Sequence, residues 1–316
     1  MTEPTYPPVV AILGPTASGK SALALDLATR LDGVIINVDA MQVYRDLRIL
    51  TARPDDDDLA RAPHRLYGFQ AADTPCSAAD WRTRALVEIA AAGAAGQVPI
   101  LCGGSGLYFK ALTEGLAPIP DISPALRARL RARLADIGGA AFRRELATRD
   151  PAGAARVHDG DSQRLIRAME VVEGTGRTLA AWHRQASPPA PLSCLTFVLA
   201  PPRPALYARC DARFETMVAA GAVAEARRLK ALGLCRDLPA MKAVGVRQLI
   251  DYIDEKCNLN DAIAGAQQET RRYAKRQTTW FKHQIEQFHP LPQQYSEKLV
   301  DEIFPKIREF LLTTDA

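Results

Sequence analysis

The feature that most constrains the fold of this chain is an apolar strand that runs directly into a glycine-rich loop. Residues Val9–Leu13 are all apolar, and Gly14-Pro-Thr-Ala-Ser-Gly19-Lys20-Ser21 follows them without a break. This loop matches the phosphate-loop pattern G-x-x-x-x-G-K-[ST] at every fixed position. Leucines at helical spacing begin at Leu23, which puts the loop between the end of a strand and the start of a helix.

A loop in this position is a ready anion site, because backbone N–H groups and the positive end of the helix converge on it. The amino group of Lys20 can reach across to phosphate oxygens, and the hydroxyl of Ser21 can hold Mg²⁺. The plain structural alternative is a glycine-rich turn with an exposed lysine. The loop alone does not identify the molecule that carries the phosphate.

Further apolar runs predict strands at residues 34–39, 97–102 and 195–200, and a helical pattern covers 78–92. The first run ends in Asp39, and the second leads into Gly103-Gly-Ser105-Gly106. Strands that end in polar or glycine-rich loops and alternate with helices indicate a doubly wound parallel α/β sheet of the P-loop NTPase type. Residues 55–58, after Pro54, are predicted to form a solvated polar loop.

The middle of the chain differs from the sheet-forming parts, because strand-like runs disappear and arginine-rich helical patterns replace them. Residues 121–190 contain twelve arginines, no lysine and eight acidic residues. Leu126, Leu130 and Leu134 form a helical stripe with arginines beside it. We expect an inserted all-helical domain at 121–191, within an α/β core of residues 1–120 and 192–316. Its arginines form either a solvated helix face or a surface for a polyanion.

Composition narrows the class of protein further. The 316 residues are 47% hydrophobic, contain no run of eighteen apolar residues and begin without a signal-peptide pattern. We therefore expect a cytoplasmic chain with no membrane partner. The six cysteines form no C-x-x-C pair, which argues against a disulfide framework and a zinc site. The net charge of +4 is small, but residues 271–282 form a basic patch interleaved with aromatic residues, which is typical of nucleic-acid surfaces.

Seven blocks of sequence together resemble one known family. The chain resembles the bacterial tRNA prenylating enzymes, the tRNA dimethylallyltransferase family, in residues 14–21, 39–45, 75–80, 103–112, 161–170, 243–248 and 273–281. Many unrelated proteins share the phosphate loop. The Gly106-Leu-Tyr-Phe and Ala274-Lys-Arg-Gln blocks are far more specific to this family.

This resemblance implies a reaction. In the family, the dimethylallyl group of dimethylallyl diphosphate is transferred to the exocyclic amine of adenosine 37, next to the anticodon of tRNA. The implied partners are dimethylallyl diphosphate and the tRNA anticodon stem-loop, and we expect the chain to act as a monomer. The adenine amine is a poor nucleophile because its lone pair is delocalised, so a general base should help by about 10²–10⁴-fold. Asp39 matches the family position for that base.

The resemblance also assigns the remaining site residues. The departing diphosphate would meet Lys20, Mg²⁺ on Ser21, and Arg209, while Ser105 stands near the reacting centre. The loop positions for diphosphate are Gly14, Thr16, Ala17, Ser18, Gly19, Lys20 and Ser21. The resemblance also implies a set of tRNA-contacting positions, and each of these could instead be an ordinary surface or capping residue. They are Asp39, Ala40, Met41, Gln42, Ser105, Arg127, Gln163, Arg164, Leu165, Ile166, Arg167, Lys242, Gly245 and Arg247.

The chain departs from the family pattern at Ala40, Arg53, Arg65 and Val246, and none of these departures removes the carboxylate, the lysine or the metal-binding hydroxyl. Two other functions share parts of the pattern. A small-molecule kinase would have the same fold and Mg²⁺ site, and an RNA-binding ATPase would hydrolyse nucleotide. We predict prenyl transfer, with the phosphate loop as a diphosphate cradle and no ATP hydrolysis.

Overall fold

Parallel strands form one six-stranded sheet in the part of the chain that the computed structural model describes, residues 6–185 and 188–314. The spatial order of the strands is β3-β2-β4-β1-β5-β6, and every neighbouring pair is parallel. In chain order they are β1 (Val9–Leu13), β2 (Gly33–Asn37), β3 (His64–Arg65), β4 (Val98–Gly103), β5 (Cys194–Leu199) and β6 (His289–Leu291). The predicted parallel α/β class is confirmed. Residues 1–5, where the N-terminus shows no signal pattern, lie outside the described residues.

Helices connect the strands. They are α1 (Lys20–Leu31), α2 (Asp56–Arg61), α3 (Ala78–Ala94), α4 (Gly106–Thr113), α5 (Pro124–Arg149), α6 (Pro151–Ala155), α7 (Ser162–Thr175), α8 (Leu179–His183), α9 (Arg203–Ala219), α10 (Ala222–Ala231), α11 (Val246–Ile253), α12 (Leu259–Gln284) and α13 (Glu297–Thr314). A short 3-10 turn covers Ala240–Lys242. Among the described residues, none of these helices is long and apolar enough to cross a membrane.

The sheet is buried on both faces, because successive side chains of a strand point to opposite sides. Val10 and Ile12 of β1 pack on one face with residues of α1 and α13, such as Leu23. Ala11 points to the other face, where the fully buried Trp81 of α3 belongs to the same cluster. With both faces covered, the C-terminal ends of the strands form the edge at which ligands of such sheets bind.

The predicted polar loop at residues 55–58 is wrong, since α2 begins there. The side chain of Asp55 accepts a hydrogen bond from the N–H of Asp58 at 2.9 Å, and the carboxylate of Asp58 accepts from the N–H of Asp55 at 3.4 Å. This reciprocal capping box satisfies two backbone donors, and the acidic first turn complements the helix dipole. The aspartate run after Pro54 therefore starts a helix.

Residues 114–190 form a compact unit separate from the unit of residues 6–113 and 191–314. Its described residues contain helices α5–α8 and no strand. Leu130 lies in the core of this unit, and Leu126 and Leu134 pack at its margin, so the leucine stripe is the inner face of α5. Gly138 has φ 76 and ψ 164 and divides α5 into two helical segments.

Candidate active site

The phosphate loop joins the C-terminal end of β1 to the first turn of α1. Gly19 caps α1 with φ 94, a left-handed conformation that glycine adopts without strain. A Cβ at this position would lie 2.5 Å from the Cβ of Tyr295, so a larger residue does not fit. Ser18 is fully buried, and its Oγ has no hydrogen-bond partner in the described part of the chain. The loop thus offers an uncommitted hydroxyl beside the N-terminal amides of a helix, which suits an anion.

Two cationic side chains lie at this loop. The Nζ of Lys20 donates to the carbonyl of Pro15 at 3.2 Å, and Nη1 of Arg213, on α9, donates to Oγ1 of Thr16 at 3.2 Å. Burial lowers the pKa of both Lys20 and Arg213, and the negative charge of Asp39 opposes that shift in both. A carboxylate and two cations therefore share one electrostatic site, in which an added anion would be balanced.

Asp39 follows β2 and is held by a local turn. Its N–H donates to Oδ1 of Asn37 at 2.8 Å, and its own Oδ1 accepts the N–H of Met41 at 2.8 Å. The fully buried Asn37 also donates through Nδ2 to the carbonyl of Asp39 at 3.0 Å. Within the described residues, Oδ2 of Asp39 forms no hydrogen bond. One carboxylate oxygen therefore holds the turn, and the other is left uncommitted by the described residues.

Ser105 lies beside this turn, because β4 pairs with β2. The N–H of Ser105 donates to the carbonyl of Val38 at 3.0 Å, and its Oγ accepts the N–H of Ala40 at 2.8 Å. Tyr273 of α12 lies close to the hydroxyl of Ser105, and burial, reinforced by the charge of Asp39, raises the pKa of Tyr273. The sequence predicted Ser105 but missed Tyr273, whose only signal was its place in the 273–281 block.

The glycines after β4 serve close packing with α12. A Cβ on Gly104 would lie 2.2 Å from Nε2 of Gln277, and one on Gly106 would lie 2.1 Å from Cε3 of Trp280. Gln277 is buried, accepts the N–H of Thr16 at 2.8 Å and donates to the carbonyl of Gly104 at 2.9 Å. The second glycine-rich loop therefore approaches a helix, and Gln277, which the sequence prediction missed, contacts both loops.

The arginine that hydrogen-bonds the phosphate loop differs from the predicted one. Arg209 is exposed, and its Nη1 donates to Oε1 of Gln294 at 3.4 Å. Arg213 lies one helical turn later on α9 and donates to Thr16. Residues four apart share a helix face, which is the signal that could have identified Arg213. Contact between Arg209 and a diphosphate stays a prediction.

The positions predicted for tRNA within the sheet-containing unit differ in whether they have a structural role or an exposed charged side chain. Nε2 of Gln42 donates to the carbonyls of residues 51–52, both at 2.9 Å, and therefore fixes a loop. Gly245 caps α11 with φ 91. The side chains of Lys242 and Arg247 are 56% and 82% exposed, and each lies within 4.0 Å of an aspartate. Only the last two present charge to solvent.

In the helical unit, two of the predicted tRNA-contacting arginines are engaged by one buried carboxylate. Nε of Arg127 donates to Oε2 of Glu170 at 2.8 Å, and Nη1 of Arg167 donates to Oε1 at 2.7 Å. Burial favours the protonated form of Glu170, but the two guanidinium groups outweigh it and lower its pKa below the usual range. Arg127 therefore ties α5 to α7, whereas Arg167 lies on α7 itself, one turn before Glu170.

The other predicted positions of this unit lie at the start of α7. The side chain of Leu165 is fully buried in the core of the unit, and a tRNA contact at this position stays a prediction. Ile166 packs against the same cluster. Gln163 and Arg164 are exposed, and Nε of Arg164 lies 3.5 Å from the carboxylate of Asp161, which caps the helix.

The basic patch of α12 separates into two faces. Phe281 is buried, and Trp280 is partly buried and covers Gly106, so the ring of Phe281 does not belong to the exposed face. The outward side chains are the exposed cations Arg272, Lys275, Arg276 and Lys282. The same helix therefore presents charge to solvent and the carboxamide of Gln277 to the site.

A small cleft with about 30 Å³ of free volume opens beside Ser21. Its lining includes Gln42, His64, Tyr67 and Cys102. Burial lowers the pKa of His64, raises that of Tyr67 and raises that of Cys102 to about 11, so these three groups are uncharged near neutral pH.

The structure thus defines a parallel α/β protein with a glycine-rich loop after β1. Lys20 and Arg213 lie at this loop, and the carboxylate of Asp39 follows β2 in the same sheet. The family model described as IPP transferase matches residues 42–284. The chain belongs to the IPP transferase family.

Individual relatives agree with this assignment. The chain is 54% identical over 284 residues to the tRNA dimethylallyltransferase of Rhodospirillum centenum, covering 89% of this chain and 90% of the relative. It is 51% identical to that of Paramagnetospirillum magneticum over 98% of both chains. The crystal structure of the full-length tRNA isopentenylpyrophosphate transferase from Bacillus halodurans superposes with a TM-score of 0.70 at 32% identity, covering 97% of each chain.

Proposed function

We propose that this chain transfers the dimethylallyl group of dimethylallyl diphosphate to the N6 amine of adenosine 37 in tRNA, in the cytoplasm. Support comes from membership of the IPP transferase family and from similarity to tRNA dimethylallyltransferases over most of the chain. The observation that carries the mechanism is the strand order β2-β4-β1, which sets the turn at Asp39, the loop with Ser105 and the phosphate loop side by side at one edge of the sheet. Proton acceptance and stabilisation of a departing diphosphate belong to one site.

In the proposed step, the bond between C1 of the dimethylallyl group and its diphosphate oxygen breaks, and a bond between N6 and C1 forms. The electron pair of the broken bond leaves with the diphosphate, and the N6 proton passes to Oδ2 of Asp39. Lys20, Arg213 and the loop amides face the charge that grows on the leaving group, which is the arrangement that lowers a barrier most. Ser105 keeps the turn at Asp39 in place through the N–H of Ala40.

The residues present also fit Mg²⁺. Ser21 is exposed in the first turn of α1, and the buried Oγ of Ser18 lacks a partner among the described residues. Mg²⁺ usually takes few protein oxygens and completes its shell with substrate phosphates and water. We propose that Ser21 holds it, and when bound it would neutralise part of the diphosphate charge.

The acceptor base must leave its stack to reach Asp39, which costs a few kcal/mol and least in a single-stranded loop. An anticodon loop satisfies that condition. We propose that the exposed cations of α12, with Lys242, Arg247 and Arg164, contact tRNA phosphates, while the partly exposed Arg127 and Arg167 are engaged by Glu170.

The decisive experiment is mass analysis of tRNA nucleosides after deletion of the gene and complementation. The deletion strain should lack prenylated adenosine, and complementation should restore it. In vitro, dimethylallyl diphosphate and unmodified tRNA should give prenylated RNA. Phosphoryl transfer from ATP to a small acceptor, without prenylation, would identify a kinase, and RNA-stimulated ATP hydrolysis would identify an ATPase.

A further inference from the structure

One buried carboxamide connects the two loops that carry the predicted chemistry. Gln277 projects from the middle of α12 and is 6% exposed. Its Oε1 accepts the N–H of Thr16 in the phosphate loop at 2.8 Å, and its Nε2 donates to the carbonyl of Gly104 at 2.9 Å. We propose that Gln277 is a positioning residue that sets the spacing between the diphosphate cradle and the strand end that carries Ser105.

The hydrogen bond between Gln277 and Gly104 depends on the glycine at position 104. A Cβ at Gly104 would lie 2.2 Å from Nε2 of Gln277, so the absence of a side chain there lets the carboxamide reach the backbone. The next residue is Ser105, whose Oγ receives the N–H of Ala40. A shift of Gly104 would therefore move Ser105 and, through Ala40, the turn at Asp39.

The contact on the phosphate-loop side acts on the loop and not on its ligand. The N–H of Thr16 is committed to Gln277 and is not free for a phosphate oxygen. The hydroxyl of the same residue receives Nη1 of Arg213 at 3.2 Å. Gln277 thus fixes Thr16, whose hydroxyl accepts the hydrogen bond from Arg213. The positions of this cation and of the Asp39 turn therefore both depend on one carboxamide.

The packing of α12 makes this link rigid. Ala274, one turn before Gln277, is fully buried in a cluster with Ala17 of the phosphate loop and Cys210 of α9. Trp280, one turn after Gln277, covers Gly106. Because α12 is packed one turn before and one turn after Gln277, the carboxamide has a fixed position. Its two hydrogen bonds therefore set the distance between the two loops.

This inference rests on the proposed function, because the spacing matters for a reaction that uses both loops. Misplacement of reacting groups by about 1 Å can cost about 10²-fold in rate. Gln277→Met keeps the volume but has neither the donor nor the acceptor. Gln277→Glu keeps an acceptor for Thr16 and sets a carboxylate oxygen against the carbonyl of Gly104. Gln268→Met, the same change at an exposed position of α12, is the matched control.

The experiment measures single-turnover prenyl transfer at saturating substrates, tRNA affinity, affinity for inorganic diphosphate and melting temperature for each variant. We expect both Gln277 variants to lose at least about 10-fold in the transfer rate and a few-fold in diphosphate affinity. Their tRNA affinity should stay within about 2-fold of wild type, as should every property of the control. A wild-type transfer rate in Gln277→Met with a normal melting temperature overturns the proposal. A wild-type protein that does not prenylate tRNA overturns the proposed function instead, and diphosphate affinity still tests the link.

A double-mutant cycle distinguishes positioning from general packing. Gly104→Ala should slow transfer because the new methyl group displaces the carboxamide. In the Gln277→Ala background that collision is gone, so the same change should cost less. Additive losses would show that the two residues act independently and would overturn the link.

Discussion

Asp39 has two carboxylate oxygens in different situations. Oδ1 accepts the N–H of Met41 and holds the turn, whereas Oδ2 has no partner within the described residues. Asp39→Asn keeps an oxygen for that turn and removes the proton acceptor. We expect unchanged tRNA affinity and melting temperature and a single-turnover rate lower by about 10²–10⁴-fold.

The opposite outcome is equally informative. Asparagine caps such turns about as well as aspartate, so a rate within a few-fold of wild type would show that Asp39 is only a turn residue. A Mg²⁺ titration of the same variant separates proton acceptance from the positioning of metal-bound water.

Arg209 and Arg213 occupy neighbouring turns of α9, and only Arg213 hydrogen-bonds the phosphate loop. If Arg213 stabilises the departing diphosphate, Arg213→Ala should lower kcat by about 10²–10³-fold, as loss of one electrostatic donor does elsewhere. Arg209→Ala removes the same charge one turn away and should stay within a few-fold. The reverse order in steady-state kinetics would restore the sequence assignment of Arg209.

At the scale of elements, α10 holds the segment after the Asp39 turn. Glu225 is 3% exposed, and its carboxylate accepts the N–H groups of Arg48, Ile49 and Leu50 at 2.8–2.9 Å. Glu225→Ala leaves three backbone donors without this acceptor, and we expect the free energy of unfolding to fall by about 3 kcal/mol. Urea unfolding measures it, with the exposed Glu309→Ala as control. Equal midpoints for both variants would show that water replaces the carboxylate at no cost.

The pair of helices α5 and α7 carries a pH-dependent link. Because the pKa of Glu170 is lower in the folded chain than in the unfolded chain, its stabilising contribution is present above the unfolded pKa of about 4.3 and is lost as the pH falls through the folded value. We expect acidification below about pH 4 to loosen this unit first. Fluorescence of Trp182, on α8, should report the change. Glu170→Gln should be less stable at neutral pH and lose less on acidification, and an equal loss in both proteins would assign the transition to other carboxylates.

The elements show where sequence patterns are sufficient. Four apolar runs became β1, β2, β4 and β5 within two residues of their predicted bounds, since a buried strand has to be apolar. The strands β3 and β6 have two and three residues and carry no detectable pattern. The aspartates after Pro54 read as a loop because their capping role depends on a reciprocal hydrogen bond.

The candidate site shows where sequence patterns fail. The loop residues and Asp39 were predictable because their chemistry is local. Gln277 lies 261 residues from Thr16 and 173 residues from Gly104, so no sequence pattern near either loop predicts its contacts. The sequence shows Gly104 and Gly106 only as a glycine-rich strand end, and the structure supplies the reason, which is the close approach of α12.

For the whole molecule, the net charge says less about RNA binding than the positions of the individual charged residues. The chain carries 40 basic and 36 acidic residues, and many arginines of the helical unit are paired with carboxylates. Exposed cations on α12 are therefore better candidates for RNA phosphates than the arginine count of residues 121–190 suggested. Lys275 is a suitable test, because its side chain is exposed on α12 whereas that of Gln277, two residues later, is buried.

Each tRNA phosphate that the protein neutralises releases counterions, so the logarithm of affinity should fall linearly with the logarithm of salt concentration. We expect a steep loss between about 50 and about 200 mM salt. Lys275→Ala should weaken tRNA binding and reduce the slope by about 0.7 to 0.9, the value for one phosphate contact. Arg308→Ala removes one exposed charge from α13 and should leave the slope unchanged. Filter binding of one tRNA across a salt series measures all three proteins. Equal slope changes in the two variants would mean that overall charge, and not a surface on α12, attracts the RNA, whereas an affinity independent of salt would remove phosphate contacts from the binding of tRNA altogether.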